Sequence, residues 1–371
     1  MKNLGNNAFF ALLRAGLWEQ EVSLSAYGAV DYVTLFKQAR EQAVVGLVAV
    51  GLERIPSGNP TPEESQSFRE EVLMLEACNT EMNDIAAWLM ERLAEEQVQA
   101  VLMKGPGVAQ CYARPLWRAV GDIDLLLDGK DYERARTLLS PLAQSVGPEG
   151  VHDRHQGLAF ASWDLELHGT IRTGLSNRID NGLDALRCEI LKRGCVRIWR
   201  NEGVDIALPD YDCDSILIFA HFLKHFYRGG VGLRQICDWC RLLWTGREAI
   251  DRTLLGQRLD SMGLTDAWKA FGALAVEVLG LPGDAMPFYV PARKWSRKAE
   301  RILAFILESG NFGHKRKTGY YKKYPYWGRK AISMGRRMGD LCHHALIFPR
   351  DVLRFSPHIF FNGLRSALRG E

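Results

Sequence analysis

No uninterrupted apolar run in these 371 residues reaches the roughly 18 that a membrane-crossing helix needs. The chain therefore does not read as an integral membrane protein. Its eight cysteines, spread from Cys78 to Cys342, show no compact framework, and a chain this long needs none. Reduced thiols and a cytoplasmic setting follow. A secretory leader is not expected either: Arg14 interrupts the first apolar stretch, and no small-residue cleavage site follows it. A net charge of +3 is too small to make the whole molecule a polyanion binder. Neither a repeat of solenoid period nor a recognisable RNA- or DNA-binding motif is present. One absence is local: between Ser309 and Gly339 there is no acidic residue.

What is present is an ordinary globular balance, 47% apolar and 25% charged, in a chain long enough for two or three units. Residues 1–97 read as a helical block, with Phe9, Phe10, Leu12, Leu13 and Leu17 at near-helical spacing and a second amphipathic stretch over about 31–53. Ile55 to Pro60 is a breaker run. Thr61-Pro62-Glu63-Glu64 then supplies a cap, a first-turn proline and a glutamate three residues after the cap, opening a helix to about Glu96. Residues 98–208 read as an α/β core and 209–310 as a second helical block. Residues 311–371 form a basic, aromatic tail. The fold class is thus α+β, a small mixed-sheet core flanked by helices.

Chemistry concentrates between Val101 and Asp128. Val101-Leu102-Met103 reads as a short strand ending at Lys104-Gly105. Asp122-Ile123-Asp124 heads a second strand, Leu125-Leu126-Leu127. Strand side chains alternate faces, so Asp122 and Asp124 point the same way and repel unless a cation lies between them. A divalent metal such as Mg²⁺, which prefers oxygen ligands, fits that need. The repulsion also implies that Asp124→Asn would cost no stability. Downstream, residues 157–161 and 163–168 read as a hairpin. Its second strand puts Asp164, Glu166 and His168 on one face and Trp163, Leu165 and Leu167 on the other. Such a polar face needs partners, and the Asp122/Asp124 strand would supply them.

Lys104-Gly105, Tyr112, Arg118 and Gly121-Asp122-Ile123-Asp124-Leu125-Leu126 resemble the signature of the nucleotidyltransferase fold, the superfamily of DNA polymerase beta. More narrowly they resemble a bacterial family labelled uncharacterised nucleotidyltransferase. The resemblance is strongest over 98–170 and extends loosely to about 310. At the turn the chain has Gly105-Pro106-Gly107 where the superfamily has Gly-Gly or Gly-Ser. The resemblance implies Mg²⁺-dependent transfer of a nucleotidyl group from an NTP such as ATP to an unidentified acceptor. It makes Asp122 and Asp124 ligands of two metal ions, and Glu166 the third acid, with Asp164 its rival. It makes Lys104, Gly105, Gly107 and Arg118 triphosphate contacts, and turns Arg234 and Asp238 toward the nucleotide cleft. Without the resemblance, Arg234 and Asp238 read as an ion pair along one helix.

Two rival readings stand beside this one. The first is a non-catalytic nucleotide- or glycan-binding accessory protein of the same fold, which the irregular turn favours and the three acids disfavour. The second is a nucleic-acid-binding protein relying on the basic tail, disfavoured by the missing motif. His221 and His225 (i, i+4) with Cys237 and Cys240 (i, i+3) mimic a zinc set, but the cysteines sit inside an apolar helical pattern. The segment 315–337, with basic residues and interleaved Tyr320, Tyr321, Tyr324, Tyr326 and Trp327, suits weak docking on an anionic membrane at its inner face or a solvated arm.

Overall fold

In a computed structural model the described residues are 5–56, 60–119, 121–149, 154–314 and 324–368, the last seven as backbone only. Lys315, Arg316, Lys317, Tyr320, Tyr321, Lys322 and Lys323 of the basic segment lie outside them.

The N-terminal block holds α1 (Ala8–Trp18), α2 (Tyr32–Glu41), α3 (Val45–Leu52) and the long α4 (Pro62–Glu95). The stretch read as one amphipathic unit over 31–53 is two helices, because Ala43 takes a left-handed φ of 55° between them. Thr61 caps α4 as its sequence indicates: its hydroxyl accepts from the Glu64 backbone, and the Glu64 carboxylate accepts from the Thr61 N–H.

The core follows. β1 (Ala100–Met103) leads through the short α5 (Gly105–Ala109) to β2 (Ile123–Leu127), then α6 (Gly129–Leu139), β3 (Ser145–Val146), β4 (His155–Ala159) and β5 (Asp164–His168). These strands form one mixed sheet in the order β1-β2-β5-β4-β3. β1 runs antiparallel to β2, and β2 runs parallel to β5, which brings Asp124 opposite Glu166. The Asp124 strand and the polar-faced strand are therefore neighbours. The sheet buries Leu102, Leu125, Leu127, Leu165 and Leu167 against Ala86, Leu89 and Leu93 of α4 and Tyr132 and Leu139 of α6.

The sequence reading did not anticipate α7 (Asn177–Lys192) or the hairpin β6 (Val196–Asn201) and β7 (Val204–Pro209). Strand β6 alternates between half-buried and exposed residues and carries two arginines, so its apolar signal is weak. Leu208 of β7 lies against α5: a Cβ on Gly107 would stand 2.8 Å from it.

The second helical block comprises α8 (Tyr211–Arg228), α9 (Leu233–Thr245), α10 (Arg252–Met262), α11 (Thr265–Glu277) and α12 (Arg293–Ser309). The chain beyond is partly integrated into that block. Leu341 and His344 of α13 (Tyr326–Ala345), Phe348 of the turn after it, and Phe355 and Ile359 of α14 (Pro349–Leu368) are buried, and His344 lies 4.2 Å from Phe226 between ring centres. No helix among the described residues is long and apolar enough to cross a membrane.

Candidate active site

The C-terminal end of β1, the N-terminal end of β2 and the polar face of β5 meet at the floor of a cleft of about 340 Å³, roofed by α8 and α9. Asp122, Asp124 and Glu166 each place a carboxylate oxygen there, all within 4.8 Å of one another. Asp164 is exposed at the far end of β5, opposite Ala159, and does not join them.

Asp124 is 2% exposed, and both its close partners are basic. Lys104 Nζ donates to its Oδ1 at 2.7 Å, and His168 Nε2 lies 2.6 Å from the same oxygen. The histidine also reaches Glu166 Oε2 at 3.2 Å, and His155 Nε2 reaches that oxygen at 3.0 Å. Burial opposes ionisation of Asp124, but Lys104 and His168 outweigh it and hold its carboxyl below the usual range. Glu166 is likewise held low against burial by its bonds to His155 and His168. Asp122 goes the other way: burial, then the neighbouring Asp124 and Glu166 charges, push its carboxyl up. So the expected repulsion falls on Asp122. Asp124 has paired partners, which argues against the expectation that Asp124→Asn costs no stability.

Lys104 occupies a left-handed backbone (φ 52°, ψ −142°), a costly conformation for a side-chain-bearing residue, and this aims its ammonium across the turn at Asp124. At Gly105 a Cβ would lie 2.9 Å from the Asp122 carbonyl oxygen, so the glycine lets the turn close on the strand that carries the acids. Gly105 lines the cleft, whereas Gly107 faces Leu208.

Arg118 lines the cleft wall with its guanidinium held by Asp238 through bonds of 2.8 Å at Nε and 2.8 Å at Nη2. The Tyr112 hydroxyl donates to the same carboxylate at 2.8 Å. Asp238 thus joins Arg118 and Tyr112 across elements, where a pair with Arg234 within α9 was the simpler reading. Arg234 lies with its guanidinium 5.6 Å from the Phe312 ring centre and donates to the Ala119 carbonyl at 3.4 Å. Asn79 of α4 fixes the loop entering the site by donating to the carbonyls of Leu116 and Arg118, 2.7 Å each.

His221 and His225 line the roof. Burial, then neighbouring positive charge, drives both below the ordinary imidazole range, His225 to about 3, so both are neutral at pH 7. Cys237 and Cys240 are fully buried in the α8–α11 core and join no metal-type cluster among the described residues. Sequence reasoning missed His155, Thr170, Arg172, Lys224 and Phe312, which all line the cleft. His155 was within reach of it: starting the first hairpin strand two residues before Gly157 sets His155 opposite His168.

Three converging carboxylates, under a roof bearing cationic side chains, form a group of oxygen donors that could hold a metal ion. The chain belongs to the family described as uncharacterised nucleotidyltransferase, whose model matches residues 28–280, more than half its length. It is therefore a transferase of the nucleotidyl class. No curated protein and no solved structure matches the chain.

Proposed function

We propose that this cleft binds Mg²⁺ and an NTP and transfers the NMP group to an acceptor. The convergence of Asp122, Asp124 and Glu166 carries the reading. An all-oxygen donor set suits a hard cation, and opposite ligands of one Mg²⁺ stand about 4.2 Å apart, the scale of this cluster. Asp122 and Asp124 would hold the metal, with Glu166 completing the set. When bound, the metal would neutralise phosphate charge and favour ionisation of the attacking hydroxyl. Lys104 at the floor, Lys224 on the roof helix α8, and Arg172 supply further positive charge around the cleft. The acceptor oxygen forms a bond to the α-phosphorus as the bond from that phosphorus to the β-bridging oxygen breaks. Pyrophosphate leaves with the electron pair, and the acceptor proton passes to a carboxylate of the cluster.

Calorimetry of Mg·NTP binding to wild type and Asp122→Asn tests the site. We expect binding to weaken at least tenfold in the variant, and equal affinity would rule the assignment out. Labelled NTP supplied with cell extract then separates an enzyme, which releases pyrophosphate, from a binding protein, which does not.

A further inference from the structure

Beside the acid cleft lies a second, more open groove of about 350 Å³, lined by Arg154, Thr170, Arg172, Asp184, Arg187 and Cys188. Thr170 and Arg172 line both spaces, so the two are adjacent. Thr170 is four residues beyond Glu166, so at most about 14 Å of chain separates groove from acids. The groove holds three arginines against one acid. Asp184 is taken by Arg172, whose Nε donates to it at 3.1 and 2.9 Å. Arg187 touches Asp128 at 3.3 Å, and its buried Nε has no acceptor. Arg154 makes no ion pair among the described residues, and its guanidinium lies over Gly129, where a Cβ would meet it at 2.9 Å. Its backbone sits at a φ of 39°, and Gly169 leaves the room its stem needs, since a Cβ there would stand 2.7 Å from Arg154 Cβ. Three guanidinium groups with two acid partners, Arg154 and Arg172 exposed and Arg187 half-buried, are the chemistry of phosphate recognition.

We infer that the groove binds the anionic group of the acceptor, a small soluble phosphate monoester whose free hydroxyl reaches the Asp122–Asp124–Glu166 floor. This rests on the nucleotidyl-transfer reading and names its acceptor class. The product is a phosphodiester that keeps the acceptor's own phosphate. The division of labour would then be that the carboxylates hold the metal ion that neutralises the NTP phosphates, while the arginines hold the acceptor phosphate. Two anionic substrates are thereby held apart until the hydroxyl and the α-phosphorus meet.

The test titrates the full chain with inorganic phosphate, and separately with magnesium tripolyphosphate, in wild type, Arg154→Gln, Arg187→Gln and Asp122→Asn. Each arginine substitution should weaken phosphate binding fivefold or more and leave tripolyphosphate within twofold, and Asp122→Asn should do the reverse. Arg154 is exposed, so its variant should fold as wild type does. Phosphate binding that is absent, or that survives both arginine substitutions, overturns the inference. So does equal weakening of tripolyphosphate, which would give the groove to the nucleotide. If tripolyphosphate does not bind wild type while phosphate still requires the arginines, the nucleotidyl-transfer reading fails and takes the acceptor assignment with it, though the anion site stands. Sedimentation with phosphatidylcholine vesicles containing phosphatidate distinguishes the source. Vesicle binding lost in the same two variants would mean a lipid-borne phosphate and would overturn the soluble acceptor.

Discussion

Asp122 and Asp124 differ by one intervening residue and by opposite electrostatics. Asp124 is sealed between Lys104 and His168, and replacing it with Asn would leave a buried ammonium short of its partner. We expect Asp124→Asn to lose about 3 kcal/mol of stability, whereas Asp122→Asn, which removes a crowded charge, should melt at or above the wild-type temperature without metal. Calorimetric melting of the two variants checks the contrast, and equal destabilisation would contradict it. A second acid makes a pH prediction. Burial raises Asp351 to about 6, with Arg354 opposing and Asp266 reinforcing. An acid with a raised folded pKa is protonated more readily in the native than in the unfolded state, so stability falls as pH rises from about 4 to about 6. Asp351→Asn should therefore stabilise by about 1–2 kcal/mol at pH 7.5 and by little at pH 4, read from melting curves at both.

At the scale of elements, the strand pairing was legible because its signal has period two. Glu166 and His168 share a face, that face needed partners, and Asp124 lies directly opposite Glu166 in the register. The turn was less legible. Gly105 and Gly107 look alike in sequence, yet one abuts an immobile carbonyl and the other a leucine side chain that can move. Gly105→Ala should therefore displace the Asp122 backbone and lower Mg²⁺ affinity several-fold although it removes no ligand. Gly107→Ala should change it little. Metal titration of both variants reads the difference, and equal effects would mean that the turn does not set the acids. Phe312 was missed because an isolated aromatic in a glycine-rich stretch carries no periodic signal.

For the whole molecule, the basic composition of 309–339 suggested an appended arm and obscured a helical apolar pattern at its end. Leu341, Phe348, Val352, Phe355 and Ile359 recur at spacings of seven, four, three and four, and all five are buried. A chain ending at Glu308 would uncover Phe226, Tyr227 and Phe305, three large aromatics now covered by His344, Phe348 and Phe355. We expect such a truncation to aggregate or to melt well below the full chain, as light scattering and melting curves would show. An intact, equally stable truncated chain would mean that α13 and α14 are dispensable. The N-terminal block is bound in just as firmly. Gln42, 1% exposed, accepts from the Leu233 N–H at 3.0 Å and donates to the Ile306 carbonyl at 3.2 Å, so one side-chain amide joins α2 to the start of α9 and the end of α12. The Leu233 amide proton should then exchange with deuterated solvent only when the roof and the N-terminal block separate together, which makes its exchange rate a gauge of how often the cleft's upper wall lifts as one piece.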